Sequence, residues 1–294
     1  MLKNPGIETH KQQNMRLLDF ASSVYAQHGE DGIFAKILEL LPTRDRWCVE
    51  FGAWDGQYLS NTCHLIESQA YSAVLIEPCR KKFAELLKRH GKNPNVIALP
   101  KFVGFGTGDG LDSILADTPI PKMFDLLSID IEGNDYHVWN AISSYNPKVA
   151  HIAFNPMIPT EVDYVQPADM KVKQGSSLLA LVQLARRKDY ELVCVNHNSA
   201  IFVRSAYFPL FGIPNNDPRQ LREDTSGVTY FFSGYDGTLF VAGRETFGCH
   251  PGILFKARLR QLPRMFRSYP PEFGRCKMIL FKIYRRIARL LGRA

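Results

Sequence analysis

No stretch of this sequence is long and apolar enough to cross a bilayer, because none approaches the roughly 18 consecutive apolar residues that a transmembrane helix needs. No apolar signal segment follows Met1 either. The six cysteines are scattered and lack the paired short spacing of a zinc site. Several lie in or beside apolar stretches, where a free thiol packs as a small hydrophobic side chain. We therefore expect a reduced, cytoplasmic protein that is not integral to the membrane.

Acidic residues are almost absent from the end of the chain. From His250 onward the sequence holds 12 Lys and Arg but a single acid, Glu272, so this tail carries a charge of +11. The whole chain of 294 residues carries +7, which leaves −4 for the residues before the tail. We therefore expect a mildly acidic body and a strongly basic tail. With 45% hydrophobic residues, the body can bury a full core.

The glycine run G-x-G-x-x-G of dinucleotide-binding proteins is also missing. The sequence instead has an apolar strand at 47–51, followed by Gly52 and then by Asp55-Gly56. Glycine is needed where a backbone turns sharply and a ligand comes close, because it has no Cβ. The missing run argues against a pyrophosphate that rests on a helix N-terminus.

Three apolar strands contain acids at or near their ends. Glu50 lies in the first strand, Glu77 ends the second, and Asp130 and Glu132 end a later one. An acid at the end of the second strand is the group that nucleotide-binding α/β proteins use to hold a ribose diol. The spacing of these acids predicts one nucleoside site at the carboxyl edge of a parallel sheet.

Strands and helices alternate along most of the chain. The predicted strands are 47–51, 73–77, 96–103, 124–131, 149–154, 191–195 and 200–203. The predicted helices are 33–41, 59–69, 83–90, 111–115, 135–142 and 176–188. The link 196–199 between the last two strands is short enough to make them antiparallel. The pattern predicts an α/β fold, a doubly wound, mostly parallel seven-stranded sheet with an antiparallel last strand.

Together these motifs resemble the class I S-adenosylmethionine-dependent methyltransferases, whose fold is Rossmann-like, and specifically the FkbM-type family. The resemblance covers roughly residues 24–205 and rests on several segments in one order. They are Gln27–Gly32, Val49–Gly56, Ser60–Thr62, Ile76–Pro78 and Leu127–Asp135. The resemblance implies the class I fold and S-adenosylmethionine as the cofactor.

The resemblance also implies roles for individual residues. The implied cofactor-binding residues are Gln27, Glu50, Gly52, Asp55, Asn61, Glu77, Pro78 and Asp130. Glu77 would accept hydrogen bonds from both ribose hydroxyls, and Glu50 and Asp55 would lie near the methionine ammonium. Asp130 would lie beside the sulfonium and the acceptor. The segment 27–31 also fits ordinary helix capping, because acids at a helix N-terminus are stabilised by the macrodipole.

Methyl transfer to a hydroxyl group requires that a base or a metal removes its proton. Asp130, Glu132 and Asn155 end neighbouring strands and are the catalytic candidates. Their arrangement resembles that of the catechol-type O-methyltransferases, where oxygen ligands suit Mg²⁺. The alternative is that they only orient the cofactor and cap a helix. His137 and His197 are alternative bases.

The segment that follows the fifth strand disfavours nucleic acid as a partner. Asn155-Pro156-Met157-Ile158 differs from the amino-methylating signature, in which an aromatic residue follows Asn-Pro-Pro. That signature also follows the fourth strand. The interleaved basic and aromatic surface of RNA-binding proteins is not apparent either.

The sequence suggests four segments. They are a polar segment 1–23, a methyltransferase domain 24–205, an aromatic and turn-rich cover 206–250 and a basic tail 251–294. The polar loop 162–175 is a candidate lid. Residues 275–293 predict a helix with one apolar and one basic side. Such a helix can lie on an anionic membrane surface, pack on its own domain or bind RNA phosphates, and the first of these is favoured.

We therefore expect a methyltransferase that O-methylates a saccharide or glycolipid intermediate of cell-surface polysaccharide synthesis, peripheral at the inner face of the membrane. This substrate class comes from the resemblance and the basic tail. One alternative is a methyltransferase that tailors another hydroxylated small molecule. The other is a non-catalytic membrane-binding protein that kept the fold.

Overall fold

The structure, a computed structural model, describes residues 15–244, 246–247, 250–254 and 262–290. The chain divides into two compact units between Asp224 and Thr225. All five cysteines in the described ranges carry free thiols.

The strands of the first unit are β1 (Trp47–Phe51), β2 (Ser72–Ile76), β3 (Val96–Leu99), β4 (Leu126–Ile129), β5 (Val149–Ala153), β6 (Tyr190–Asn196) and β7 (Ser199–Arg204). Its helices are α1 (Glu30–Leu40), α2 (Cys63–Gln69), α3 (Arg80–His90), α4 (Leu111–Ala116), α5 (Asp135–Ala141), α6 (Leu178–Arg187) and α7 (Pro218–Leu221). The 3₁₀ helices Leu17–Phe20 and Ser205–Phe211 precede α1 and follow β7. Every predicted strand is present, and the third and fourth are shorter than predicted.

The strands form one sheet in the order β3-β2-β1-β4-β5-β7-β6. The strands β1 to β5 pair in parallel, whereas β7 runs antiparallel between β5 and β6. The chain winds outward from the middle twice, first to β3 and then to β6, so the strand order reverses between β1 and β4. The predicted fold class is confirmed: this is the doubly wound, mostly parallel sheet of the class I methyltransferase fold.

Helices cover the sheet on both faces, as buried parallel strands require. Successive residues of a strand point to opposite faces. Val49 therefore packs among side chains of α4, α5 and α6, whereas Cys48 packs among those of α1, α2 and α3. Both residues are fully buried. With both faces filled by apolar side chains, polar groups that serve a site have to lie at the strand ends.

The amino edge of the sheet is closed by a buried ion pair. Lys148 Nζ lies 2.9 Å from Asp125 Oδ1 and 2.7 Å from Asp45 Oδ2. It also donates a hydrogen bond to the carbonyl oxygen of Thr43 at 2.8 Å. Asp125 is fully buried and accepts a further bond from the Tyr71 hydroxyl at 3.0 Å. Structural contacts occupy this edge, so the carboxyl edge is the one available for a site.

The first unit extends beyond the predicted domain end at 205. Phe211 is fully buried, and Arg222 Nη1 donates to the carbonyl oxygen of Ile158 at 2.8 Å. Residues 206–224, the first part of the predicted cover, therefore pack with the sheet domain.

The described residues of the second unit form two antiparallel strand pairs and a long helix. The pairs are β8 (Thr229–Ser233) with β9 (Leu239–Gly243) and β10 (Thr246–Phe247) with β11 (His250–Leu254); the helix is α8 (Arg275–Leu290). On α8, Phe281 and Tyr284 pack on Phe266, with ring centroids 5.5 and 5.3 Å apart. An apolar stripe of the same helix is exposed: Ile279, Leu280, Ile283, Ile287 and Leu290. No helix in the described ranges is both long and apolar enough to span a membrane.

Candidate functional site

A cavity of about 480 Å³ lies along the carboxyl edge of the sheet. Its wall takes residues from β2, β1, β4, β5 and β7 or from the turns beside them, in that spatial order. The cavity therefore spans the point between β1 and β4 where the strand order reverses, which is where open α/β sheets bind ligands. The charged residues of its wall are Glu30, Glu50, Glu77, Lys82, Lys101, Asp130, Glu132 and Lys173.

The loop after β1 brings the main chain close to this cavity. Gly52 has a φ of 75°, and a Cβ at this position would lie 3.1 Å from the carbonyl oxygen of Asp130. The N–H groups of Gly52 and Ala53 both donate to the carbonyl oxygen of Ile76, at 3.0 and 3.2 Å. Gly52 therefore lets the loop fold against the ends of β2 and β4.

Glu50 is buried in β1 and organises the next part of this loop. Its carboxylate accepts hydrogen bonds from Ser60 Oγ at 2.7 Å and Thr62 Oγ1 at 2.6 Å. It also accepts one from the N–H of Asn61 at 2.8 Å. Burial raises the pKa of Glu50, and these bonds oppose the rise because they stabilise the ionised form. Glu50 thus acts mainly as a positioning residue that holds Asn61 at the cavity wall.

Glu77 ends β2 with its carboxylate held in the cavity wall. Its Oε2 accepts a hydrogen bond from the N–H of Trp54 at 3.0 Å, and its Oε1 accepts one from the N–H of Cys79 at 2.8 Å. The side chain is 4% exposed. One such bond per oxygen leaves a second lone pair on each. Two oxygens held in this way suit the two hydroxyls of a diol. Pro78 lines the cavity beside them.

Asp130 follows β4 and faces the cavity together with Glu132. Burial raises the pKa of Asp130 to about 7, and neighbouring carboxylates, first that of Asp135, add to the rise. Asp135 accepts hydrogen bonds from two N–H groups of the turn at 2.8 Å each, and so shapes the turn that presents both acids. A carboxyl group that titrates near neutrality can take a proton from a substrate.

The start of α1 combines capping with a part of the cavity wall. Asp31 accepts hydrogen bonds from the N–H groups of residues 24–26 at 2.7 to 2.9 Å. Glu30 is buried and accepts a bond from Asn196 Nδ2 at 2.9 Å. Gln27 and Glu30 line the cavity. Asp31 thus binds the backbone before the helix, whereas Gln27 and Glu30 form part of the cavity wall.

A chain of buried hydrogen bonds ends at His151 in β5. Asn61 Nδ2 donates to Ser128 Oγ at 3.2 Å, and Ser128 Oγ lies 3.0 Å from His151 Nδ1. Donation of the Ser128 hydroxyl proton to Nδ1 satisfies this chain and leaves the ring proton on Nε2.

The ring of His151 is a neutral group in the cavity wall. Burial lowers its pKa to about 3, so the ring carries no charge near neutral pH. Its Nε2 is buried and has no hydrogen-bond partner in the described part of the chain, and the residue lines the cavity. Since buried polar groups are normally paired, His151 offers an N–H donor to a ligand.

Four residues that the sequence analysis named lie outside the cavity wall: Asp55, His137, Asn155 and His197. Asp55 accepts hydrogen bonds from two N–H groups of its own loop, at 2.9 and 2.7 Å. His137 Nε2 lies 2.8 Å from the carbonyl oxygen of Gln166. His197 Nδ1 lies 3.2 Å from a carboxylate oxygen of Asp224. These contacts are structural.

The three predicted Mg²⁺ ligands do not come together. Asn155 Oδ1 accepts a hydrogen bond from the N–H of Met157 at 2.8 Å, and its Nδ2 donates to the carbonyl oxygen of Gln174 at 2.7 Å. Asn155 thus uses both polar atoms on the backbone, which leaves Asp130 and Glu132 as the two carboxylates at the cavity. Two carboxylates alone are a poor all-protein site for a hard cation, so Mg²⁺ is not supported.

The loop 162–175, the candidate lid, reaches the cavity wall. Met170 and Lys173 line the cavity, and Lys173 Nζ donates to the carbonyl oxygen of Ile131 at 3.2 Å. Gln166 is almost fully buried and accepts two hydrogen bonds from the loop's own backbone, at 3.0 and 2.8 Å. The loop is therefore anchored beside the turn that carries Asp130.

Several wall residues were not predicted from the sequence. They include His28, Tyr58, Lys82, Lys101, Phe102, Val103, His151, Asn198 and Ser199. Phe102 lies in the loop after β3, as Glu77 lies after β2, so position after a strand was the signal that could have found it. His151 sits inside an otherwise apolar strand, and no local pattern separates such a residue from an ordinary buried histidine.

No family model and no curated protein matches the sequence. Solved structures of similar fold are methyltransferases. The citrinin polyketide synthase CMeT domain is 12% identical over 59% of this chain and 50% of its own, with a TM-score of 0.38. The chain thus spans half the length of that protein. The N-terminal domain of EvdMO1 with SAH bound is 10% identical over 61% of this chain and 82% of its own, at 0.38.

A SAM-dependent methyltransferase from Aquifex aeolicus is 11% identical over 57% of this chain and 87% of its own, at a TM-score of 0.34. Likeness at this level assigns no residue roles.

Proposed function

We propose that this protein is an S-adenosylmethionine-dependent methyltransferase. The observation that carries the proposal is Glu77, whose two oxygens are fixed at the end of β2 beside the glycine loop. Glu77 would hold the ribose diol, and Phe102 would flank the adenine from the loop after β3. Gly52 and Asn61 would contact the methionine part. A Cβ at Gly52 would reduce the space between this loop and Asp130.

The acids of the wall fit a positively charged cofactor. S-Adenosylmethionine carries an ammonium and a sulfonium, and Glu50, Asp130 and Glu132 line the cavity in β1 and after β4. The carboxylates of Asp135, Glu132 and Glu50 raise the pKa of Asp130 further than burial alone, and an opposite charge nearby would lower it again. A pyrophosphate would instead meet these carboxylates as a like charge. With five carboxylates against the three lysines Lys82, Lys101 and Lys173, the wall favours a sulfonium nucleoside over a dinucleotide.

When bound, the cofactor supplies a methyl group that is displaced in line from sulfur, a step in which positioning provides much of the rate. Asp130 would take the proton of the acceptor hydroxyl, because its pKa of about 7 suits a base that works near neutral pH. Loop 162–175 would restrict the access of water from the side of Met170.

The reacting hydroxyl of the acceptor would lie beside Asp130, and the rest of the acceptor would extend toward the β5–β7 end of the cavity, about 10 Å from β4 at two strand spacings. The wall there offers His28, His151 and Ser199, and Glu30 adds a carboxylate. His151 supplies a neutral donor and Glu30 an acceptor. A mixture of donors and acceptors suits a hydroxylated molecule. We propose O-methylation of a saccharide or glycolipid, and its setting in cell-surface polysaccharide synthesis rests on the FkbM-type resemblance.

The test is calorimetric titration of S-adenosylmethionine and S-adenosylhomocysteine into the wild-type protein and Glu77→Ala. We expect Glu77→Ala to weaken both affinities at least tenfold, which corresponds to about 1.4 kcal/mol. Glu85→Ala is the matched control, because Glu85 is an exposed glutamate on α3. An absence of binding by the wild-type protein would overturn the proposal.

We also propose that the second unit binds anionic membrane surfaces through α8. The exposed apolar stripe of this helix includes Ile283 and Ile287, each about half exposed at 49% and 50%. Its basic residues Arg285 and Arg286 are exposed as well. Each basic residue adds about 1 kcal/mol near an anionic lipid surface. A peripheral position would bring the enzyme close to lipid-linked acceptors.

Sedimentation with vesicles tests this second proposal. We expect binding to vesicles that contain phosphatidylglycerol, weaker binding to pure phosphatidylcholine, and loss of binding in Ile283→Asp with Ile287→Asp. Lys88→Glu, on an exposed position of α3, is the control for net charge. Equal sedimentation of the wild type and the double variant would contradict it.

A further inference from the structure

Three ligand-bearing side chains meet outside the cavity wall. Cys63 and Glu67 are one helical turn apart on α2, so they share a face, and His90 ends α3. One ligand atom from each of the three lies within 4.8 Å of the other two. Cys63 and His90 are 1% exposed, whereas the side chain of Glu67 is 47% exposed. The group is thus enclosed on the protein side and open to solvent at the carboxylate.

The contacts of His90 orient its ring for a ligand. Nε2 lies 3.1 Å from the carbonyl oxygen of Gly56. A carbonyl oxygen only accepts hydrogen bonds, so the ring proton is on Nε2 and Nδ1 carries a lone pair. Nδ1 lies 3.8 Å from Glu67 Oε1. Metal-bound histidines commonly donate their second ring N–H to a backbone carbonyl in this way, which fixes the tautomer.

We propose that Cys63, Glu67 and His90 bind one Zn²⁺ ion, with water as the fourth ligand. Thiolate, imidazole and carboxylate are the three side-chain ligands that zinc uses, commonly in tetrahedral geometry. A hard cation such as Mg²⁺ would not choose a thiol. On binding, a Zn–S bond forms as the S–H bond breaks, and the proton leaves to the buffer.

The site would stabilise the cofactor loop from outside. Gly56 lies in that loop, and a Cβ there would lie 2.6 Å from the His90 ring. Cys63 lies at the other end of the loop, where its N–H donates to Ser60 Oγ at 3.0 Å. A zinc ion on Cys63 and His90 would therefore join α2, α3 and the loop between β1 and α2. None of its three ligands lines the cavity, so the ion would stabilise the loop from outside the site and would not contact a ligand in the cavity.

The experiment is metal analysis of the full-length protein after exposure to Zn²⁺ and extensive dialysis, followed by zinc titration calorimetry. We expect one zinc ion per chain and a melting temperature that falls when a chelator removes it. Glu67→Gln keeps the shape of an exposed side chain, so it should fold, and it should bind zinc at least tenfold more weakly. His90→Gln can still donate to Gly56, which separates the loss of a ligand from the loss of the loop contact.

Cobalt provides a second readout. Co²⁺ at this site should give a thiolate-to-cobalt absorption band that is absent in Cys63→Ser and retained in Cys276→Ser, a control at an exposed thiol of α8. The proposal is overturned if the wild type retains no zinc. It is also overturned if the wild type and Glu67→Gln bind zinc equally well. Both readouts are independent of methyl transfer and of S-adenosylmethionine binding.

Discussion

Asp130 is the residue that, in the proposed function, would both face the cofactor's sulfonium and take the acceptor's proton. Its carboxyl group is neutral below a pH of about 7 and ionised above it. The sulfonium of S-adenosylmethionine is positive, whereas S-adenosylhomocysteine has a neutral sulfur in its place. The affinity for S-adenosylmethionine relative to S-adenosylhomocysteine should therefore increase roughly tenfold as the pH rises through this value. A tenfold change is a modest share of the Coulomb energy between charges ~4 Å apart. Calorimetric titration of both ligands at several pH values measures this pH dependence, and Asp130→Asn should abolish it.

The same carboxyl group should lower the stability of the free protein at alkaline pH. Its folded pKa of about 7 lies above the ordinary value of 3.8. Its favourable contribution is therefore complete below the ordinary value and is lost as the pH rises through about 7. Asp130→Asn should be more stable than the wild type above that pH, by roughly 2–4 kcal/mol, and the difference should shrink on acidification. Urea unfolding at several pH values tests this, with the exposed Asp163→Asn as control.

Phe102 is the residue for which adenine recognition can be tested without an acceptor. It lines the cavity and is 52% exposed, so its removal should leave the fold intact. Stacking of a base on an aromatic side chain contributes about 1–3 kcal/mol. Phe102→Ala should weaken S-adenosylhomocysteine binding accordingly, and Phe20→Ala, at another exposed aromatic, should not. Unchanged affinity in Phe102→Ala would place the adenine elsewhere.

Strand-end position explains which site residues the sequence could reveal. Glu77 and Asp130 were predicted because each follows an apolar run directly, and both line the cavity. Asn155 met the same criterion, but its side chain bonds to the nearby backbone. Such local competition depends on loop conformation, which a pattern of residue types does not encode. His151 depends on Ser128 of the neighbouring strand, a contact between distant residues.

The two edges of the sheet differ: the amino edge holds a buried ion pair, whereas the carboxyl edge forms the cavity. Lys148 holds Asp125 and Asp45 at the amino edge, and its side chain is 2% exposed. Removal of one partner from a buried ion pair typically costs 3–5 kcal/mol. Lys148→Met should lower the free energy of unfolding by about that amount, because it leaves Asp125 buried without its cation. Affinity of the folded protein for S-adenosylhomocysteine should persist, since the cavity is at the other edge.

Urea unfolding and calorimetry of Lys148→Met, beside the exposed Lys88→Met, make the comparison. A variant that keeps its stability but loses its ligand would show that the edges are not independent.

The elements themselves were predictable because apolar periodicity is local. Helix α7 was not predicted, but each strand of the sheet and each helix from α1 to α6 was predicted near its observed position. The end of the domain was not, because the burial of Phe211 and the bonds of Arg222 to the segment after β5 are long-range contacts. The zinc site proposed above has the same character, since its ligands come from two helices.

For the whole molecule, the separation of charge is the main feature. The basic tail carries +11 and the rest of the chain −4. Binding to anionic vesicles should therefore weaken steeply with added salt, because the Debye length falls from about 10 Å at 0.1 M to about 3 Å at 1 M. Binding of S-adenosylhomocysteine, in a mostly buried site, should change much less. Sedimentation and calorimetry over the same salt series distinguish the two.

The reversal of strand order between β1 and β4 has a mechanical consequence. One wall of the cavity comes from residues 50–103 and the other from residues 130–199 with residues 27–30 beside them, and the strands behind the two walls meet along that single line of the sheet. A molecule that contacts both walls therefore links the two halves of the sheet. Its binding energy then adds to the stability of the folded chain. The free energy of unfolding of the domain should therefore increase with the fraction of sites that are occupied.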